Sequence, residues 1–235
     1  QKSSAIDKSA DDLENSQNST SEYAELFTAA CSGKVDQYVE LFRAACTGKL
    51  DHFQSLALNL AENEGIGVGD AIEELTLKDG RGSLHAAAGG GNLNVCEYLI
   101  ETLKLDVDFK DKKGQTPLYN AISSGQLDTF TYLLEKGANA DASDDKNYTP
   151  LHCAAQTGRT KIITLLLSRG VRVDVACTFG TALLFAAANG HQDAVKVLLD
   201  HGANPNNAAN SDSIPKPLMA AIEFKSWECM ELLLQ

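Results

Sequence analysis

Positive charge is scarce in this 235-residue sequence: 20 Lys and Arg stand against 32 Asp and Glu, a formal net charge of −12. A nucleic-acid binder needs the opposite balance, because phosphate contacts supply most of its non-specific affinity. Also absent is any apolar run of about 18 residues, the length a membrane-spanning helix needs. No secretory segment is visible, so the Asn18-Ser19-Thr20 and Asn147-Tyr148-Thr149 sequons carry no weight and the expected location is cytosol or nucleus. The six cysteines (Cys31, Cys46, Cys96, Cys153, Cys177 and Cys229) form no CxxC pair, which points to buried free thiols in a reducing compartment rather than to zinc or disulfides. What is present, 43% apolar and 22% charged residues, suffices for one or two globular units and excludes a wholly disordered chain. The sequence opens on Gln1 rather than methionine, which reads as a processed or excised chain.

Self-comparison reveals a fixed period. The leucines Leu84, Leu118, Leu151, Leu183 and Leu218 are spaced by 34, 33, 32 and 35 residues. Three residues after each comes an alanine: Ala87, Ala121, Ala154, Ala186 and Ala221. Seven after the first four comes a glycine (Gly91, Gly125, Gly158, Gly190), where the fifth unit has Lys225. An aliphatic pair closes each unit: Leu99-Ile100, Leu133-Leu134, Leu166-Leu167, Leu198-Leu199 and Leu233-Leu234.

The second unit illustrates the physics. Thr116 is placed to accept free amides at a helix start, and Pro117 suits the first helical position. Gly125 supplies the left-handed turn that ends this short helix. Asp128 is placed to cap a second helix through Phe130, Leu133 and Leu134, which Gly137 ends. Neither helix is long enough to be stable alone in water. Small Ala121 permits close approach of neighbours, and each unit leaves an apolar side that only the next can cover, the logic of a solenoid.

Gly114-Gln115-Thr116-Pro117-Leu118 and Tyr148-Thr149-Pro150-Leu151-His152-Cys153-Ala154-Ala155 resemble the TPLHxA signature of ankyrin repeats. Glu135-Lys136-Gly137-Ala138-Asn139 and Asp200-His201-Gly202-Ala203-Asn204 resemble the segment that leads from the family's second helix into its hairpin. The likeness runs from about Thr76 to the last residue. It implies an all-α solenoid of helix–turn–helix units with β-hairpin fingers, a protein-binding concave face and no intrinsic catalysis. Five repeats are expected over 76–235. Unit one has Gly82-Ser83 in place of Thr-Pro and an extra residue in Leu103-Lys104-Leu105-Asp106; unit four has Phe179-Gly180 with one residue missing; unit five has a stiffened finger, Ile214-Pro215-Lys216-Pro217, and Trp227 where the others are polar or small. That unit stops directly after its aliphatic pair, so Leu232 to Leu234 are expected to face a further neighbour and the natural protein to continue.

Before the array, residues 1–21 are rich in Ser, Asp, Asn and Lys and read as a disordered tail. Residues 22–75 read as a helical amino-terminal cap. Within it, Glu25 to Lys34 and Glu40 to Lys49 are near-copies, 15 residues apart, that both match the first-helix rule. The later copy continues into His52, Phe53, Leu56 and Ala57 as a degenerate repeat; the earlier one reads either as an added capping helix or as a local duplication competing for one site. A finer likeness, carried by Leu41 to Gly48 with Val95-Cys96-Glu97-Tyr98-Leu99 and Leu105-Asp106-Val107-Asp108, is to plant ankyrin proteins with carboxy-terminal tetratricopeptide repeats, which implies chaperone-linked adaptor work. Ala61 to Asp70, with Gly65, Gly67 and Gly69, lacks the lysine and hydroxyl of a phosphate-binding loop and is expected to be a flexible surface loop.

No HExxH or GxSxG occurs, and the paired acids Asp11-Asp12 and Asp144-Asp145 fall on the tail and on a fingertip, where no cleft excludes water. His85 and His152 occupy the TPLH slot, where the resemblance implies hydrogen bonds to the adjoining turn; His191 and His201 fall on turn positions common in the family. No catalytic residue, metal ligand or cofactor is expected. The candidate partner-binding residues, by resemblance on fingertips and first-helix edges, are Lys112, Lys113, Gln115, Ser123 and Ser124 in unit two; Asp145, Lys146, Tyr148, Gln156 and Thr157 in unit three; Thr178, Phe179 and Asn189 in unit four; and Glu223 and Phe224 in unit five. Tyr148, Phe179 and Phe224 are the aromatic anchors of interest, Tyr148 expected to be the most exposed. Phe179 alternatively folds back into its shortened finger, and Phe224 alternatively packs on a further repeat. Lys110, Lys112 and Lys113 are placed to neutralise Asp141, Asp144 and Asp145 of the next finger at no more than about 1 kcal/mol. The leading expectation is a monomeric scaffold or adaptor binding a partner protein; the alternative is a substrate-recruiting or regulatory module of a ligase or kinase.

Overall fold

The computed structural model describes residues 33–206 and 216–234. The tail, most of the earlier near-copy, Cys31, and Ile214 and Pro215 of the fifth finger lie outside them. An amino-terminal pair, α1 (Gly33–Thr47) and α2 (Leu50–Glu64), is followed by the short α3 (Val68–Glu73). Five further pairs follow: α4 (Ser83–Gly90) with α5 (Leu93–Glu97), α6 (Pro117–Ser123) with α7 (Leu127–Glu135), α8 (Pro150–Gln156) with α9 (Thr160–Ser168), α10 (Ala182–Ala188) with α11 (Gln192–Asp200), and α12 (Pro217–Glu223) with α13 (Trp227–Leu233). The first helices form one row, α1 against α4, α4 against α6, and so on through α8, α10 and α12; second helices back them, with α5 on α7, α9 on α11 and α11 on α13.

The period explains this stacking. The five alanines are all fully buried, and the leading member of the aliphatic pair is equally buried in the first four units. The first-helix turn is tied the same way each time: the residue after the turn donates its amide to the carbonyl of Ala87, Ala121, Ala154, Ala186 or Ala221, at 2.8–3.0 Å. Gly91, Gly125, Gly158 and Gly190 have φ of +66° to +74°, and Lys225 takes the same left-handed conformation at +57°. The side chain beyond each turn sits over the preceding glycine: a Cβ on Gly158 would lie 2.7 Å from His191 Nδ1. Short helices thus become stable through neighbours rather than through length.

Several local expectations are corrected. Thr116 begins α6 but makes no side-chain cap bond, and α7 starts after Gln126, with Asp128 inside its first turn. The stretch from Ala61 to Asp70 is helical at both ends: α2 runs to Glu64 and α3 starts at Val68, leaving Gly65–Gly67 as the turn. The extra residue of unit one is absorbed by a π-helical turn over Tyr98–Thr102, a device that accommodates single insertions, and by Lys104 at φ +63°.

Candidate functional site

The fingers are built around buried or half-buried aspartates. Asp111 Oδ1 accepts the amides of Lys113 and Gln115 at 2.8 and 2.9 Å, and Asp144 Oδ1 accepts those of Lys146 and Tyr148 at 2.8 Å each. Asp144 is thus a structural brace of its turn. Unit four, one residue shorter, has Cys177 in this place. Its Sγ accepts the Phe179 amide at 3.3 Å, and the short antiparallel pair β1 (Ala176–Cys177) and β2 (Gly180–Thr181) closes the finger. Adjacent tips are joined through backbone: Lys112 N–H to Asp79 O at 2.9 Å, Asp145 N–H to Lys113 O at 3.1 Å, Thr178 N–H to Lys146 O at 3.0 Å. The tip glycines permit this approach, since a Cβ on Gly80 would stand 2.7 Å from Lys112 N.

Two buried histidines lock fingers to helices. Gly82 N–H donates to His85 Nδ1 at 3.2 Å, and His85 Nε2 donates to Gln115 O of the next finger at 3.1 Å. His152 repeats the arrangement, accepting from Thr149 N–H at 3.1 Å and donating to Gly180 O at 3.2 Å. Each ring therefore works as a neutral imidazole with its proton on Nε2. Burial, which disfavours the charged form, holds His152 down at about 4 and lowers His85 as well. Burial likewise pushes the Cys96 and Cys153 thiols up to about 12, which makes them poor nucleophiles.

Lys112, Lys113, Asp145, Lys146, Thr178 and Phe179 are exposed on the row of tips, Phe179 at 51%. Phe179 does not fold back into its finger; Lys146 Nζ lies 5.2 Å from its ring centre. Ser124, Asn189, Glu223 and Phe224 are exposed at the ends of the first helices. Gln115, Ser123, Gln156 and Thr157 are half-buried. Ser123 and Thr157 spend their hydroxyls on the carbonyls of Asn120 and Cys153.

Tyr148 is the correction among the aromatics. It is buried, at 9% exposure, with its ring 5.4 Å from those of His152 and Phe185 and 6.2 Å from that of Tyr119. Its phenol donates to Gln156 Oε1, and burial pushes its pKa far up. It braces the face from beneath. Two half-buried aromatics on that face, Tyr119 and Phe185, escape the sequence reading. The available signal was an aromatic in the TPLH histidine slot of unit two. The expected neutralisation between fingers takes another form: Lys110 Nζ donates to Ser143 O at 3.0 Å, and Lys112 Nζ to Lys78 O at 2.7 Å. Among the described residues no three His, Cys, Asp or Glu side chains group as metal ligands, and no helix is long and apolar enough to cross a membrane.

The family model described as "Ankyrin repeats (3 copies)" matches residues 41–144, 84–177, 138–209 and 174–235. The chain belongs to the ankyrin-repeat family. The ankyrin repeat domain of human ASB11 is similar at a TM-score of 0.68 and 30% identity, over 83% of this chain and 81% of that one. The 26S proteasome non-ATPase regulatory subunit 10 of Dictyostelium discoideum is 37% identical over 81 residues, covering 34% of this chain and 33% of that protein. The E3 ubiquitin-protein ligase KEG of Arabidopsis thaliana is 31% identical over 90 residues, 37% of this chain and 6% of the ligase. The chain thus matches a third or less of these two curated relatives. Ankyrin repeats are protein-interaction modules, and the array here is one.

Proposed function

We propose that the array is a non-catalytic scaffold or adaptor that binds a partner protein on the face formed by the first-helix edges and the fingertips. The observation that carries this reading is the composition of that face. Helices α4, α6, α8 and α10 contain no Asp, Glu, Lys or Arg, so their edge offers uncharged hydrogen-bonding groups such as Ser124, Gln156 and Asn189 beside the charged and aromatic tips. Such a face desolvates at low cost, while exposed tips supply specificity. In this reading 22–75 is the cap, 76–235 the five repeats, and the module works as a monomer in cytosol or nucleus without cofactor or metal. The test is an affinity capture comparing the chain with a Lys112/Lys113/Gln156/Asn189 alanine variant of matched melting temperature; buried Tyr148 stays in place. A partner held by the chain and lost by the variant is expected. Partners held equally by both would move the site off this face.

A second reading, a substrate-recruiting or regulatory module of an enzyme, is supported by the likeness to an E3 ubiquitin-protein ligase. The narrower likeness to plant ankyrin proteins with tetratricopeptide repeats would make the adaptor work chaperone-linked. The open reading frame that encodes the chain tests both: a catalytic domain supports the first, a second repeat type the other.

A further inference from the structure

Charge on the described surface is sorted by position. Second helices α2, α5, α7, α11 and α13 each carry more acidic than basic residues, α9 carries one lysine and no carboxylate, and four first helices carry neither. The first two fingertips are the reverse. Lys78, Lys110, Lys112 and Lys113 are exposed and Arg81 is half-exposed, against two carboxylates. Both carboxylates are engaged: Asp79 Oδ2 with Arg81 Nε at 2.6 Å, and Asp111, buried, with the two amides of its own turn. Nearer the base of the second finger, Asp106 and Asp108 also accept backbone amides, those of Asp108 and Asn139. The third tip is mixed, with Asp145 exposed beside Lys146, and the fourth presents Phe179. Because neighbouring tips are joined backbone to backbone, this order of cationic, mixed and aromatic is held at a fixed spacing.

We propose that the fingertip row takes an extended segment of a partner protein whose acidic stretch lies over Lys78, Lys112 and Lys113 and whose large apolar or aromatic residue lies against Phe179. The inference rests on the reading that the fingers belong to the protein-binding face, and it names the partner's chemistry. On a chain with net charge −12, an acidic segment is repelled by much of the surface and attracted where exposed cations gather. Among the described residues that is this edge and the surroundings of α9, where Arg159, Lys161, Arg169 and Arg172 are exposed; the fingertips add the exposed Phe179 ring as an apolar anchor. Unit steps of roughly 10 Å put about nine extended residues between the first tip and the fourth. The same net charge makes nucleic acid the poorer occupant.

Selection from a displayed library of random 12-residue peptides tests this, with the selected peptides then measured on three variants of matched melting temperature. The expected peptides carry a run of Asp or Glu and one large apolar residue. Their affinity should fall about tenfold or more on Lys78→Glu/Lys112→Glu/Lys113→Glu, and by less on Phe179→Ala, and selection on the triple variant should turn to basic peptides. Selected peptides without acidic enrichment overturn the proposal, as do acidic peptides that bind the triple variant equally, a library that yields no binder, or a poly(U) RNA that binds more tightly than the peptides. Peptides indifferent to the triple variant but lost on Gln156→Ala/Asn189→Ala would leave the protein-binding face standing and remove only its acidic partner; peptides indifferent to every variant would remove both.

Discussion

The third and fifth units share one pattern and differ in what surrounds them. Ala154 and Ala221 are both fully buried, and both units tie their turn to that alanine's carbonyl. The positions around them diverge. Leu151 is buried and Leu218 half-buried; the next residue is His152, bridging to the fourth finger, or Met219, 56% exposed; the second helix begins with half-buried Thr160 or with Trp227, 57% exposed. The small residue and the turn are thus fixed inside a unit and its preceding neighbour. The leucine and the histidine slot acquire their burial from the unit that follows.

The leucines give the largest test of that difference. Leu151→Ala should cost about 2–5 kcal/mol in urea melts, because a fully buried side chain leaves a cavity its neighbours cannot fill. Leu218→Ala should cost less than half as much, since a half-buried side chain loses less transfer free energy. Equal costs would mean that burial in the third unit does not depend on being enclosed from both sides.

Protonation separates the two units next. Folding holds His152 neutral, with a pKa of about 4 against an ordinary 6.5, so the unfolded chain binds more protons between those values. Stability therefore rises with pH: the contribution is complete above 6.5 and is lost as pH falls towards 4, about 3 kcal/mol at most. A His152→Asn variant should show a flatter profile than the parent over that window, whereas Met219→Ala should leave the slope unchanged. A His152 ring that titrates by NMR near 6.5 in the folded protein would contradict the neutral bridge.

How much of this was legible follows the same division. The leucines, alanines and turn glycines were readable because their roles repeat at fixed offsets, and both TPLH histidines bond as their slot implies. Tyr148 was misplaced because Phe185, from the next unit's helix, covers its ring, and local pattern does not encode that contact. The π-helical turn was visible only as one surplus residue, with nothing to say where the backbone absorbs it. On the binding face the tip residues were legible from finger position. The backbone bonds joining one tip to the next were not, because they depend on stacking.

The turns give a smaller effect. Gly158→Ala should destabilise by about 1–2 kcal/mol, since a left-handed residue bearing a Cβ is strained and that Cβ meets His191. Lys225→Gly removes the same strain from the fifth unit at the expense of backbone entropy, a net gain of roughly 0.5 kcal/mol. Opposite signs in thermal melts are the expected outcome; a loss from both changes would show that Lys225 contributes a contact that outweighs its strain.

The smallest effect belongs to the exposed lysines. Lys146→Ala on the third finger removes only a cation resting on the exposed Phe179 ring, a contribution of about 0.5 kcal/mol. Lys216→Ala, exposed at the start of α12 with no side-chain cap bond, should be neutral within about 0.5 kcal/mol. Lys112→Ala should stay within about the same 0.5 kcal/mol, because the carbonyl it releases is open to water. Lysines that contribute so little to the fold are available for recognition. A cost above 1 kcal/mol at Lys112 or Lys146 would mean that the tips are braced by these side chains as well as by Asp111 and Asp144, and urea melts of the single variants would register it directly.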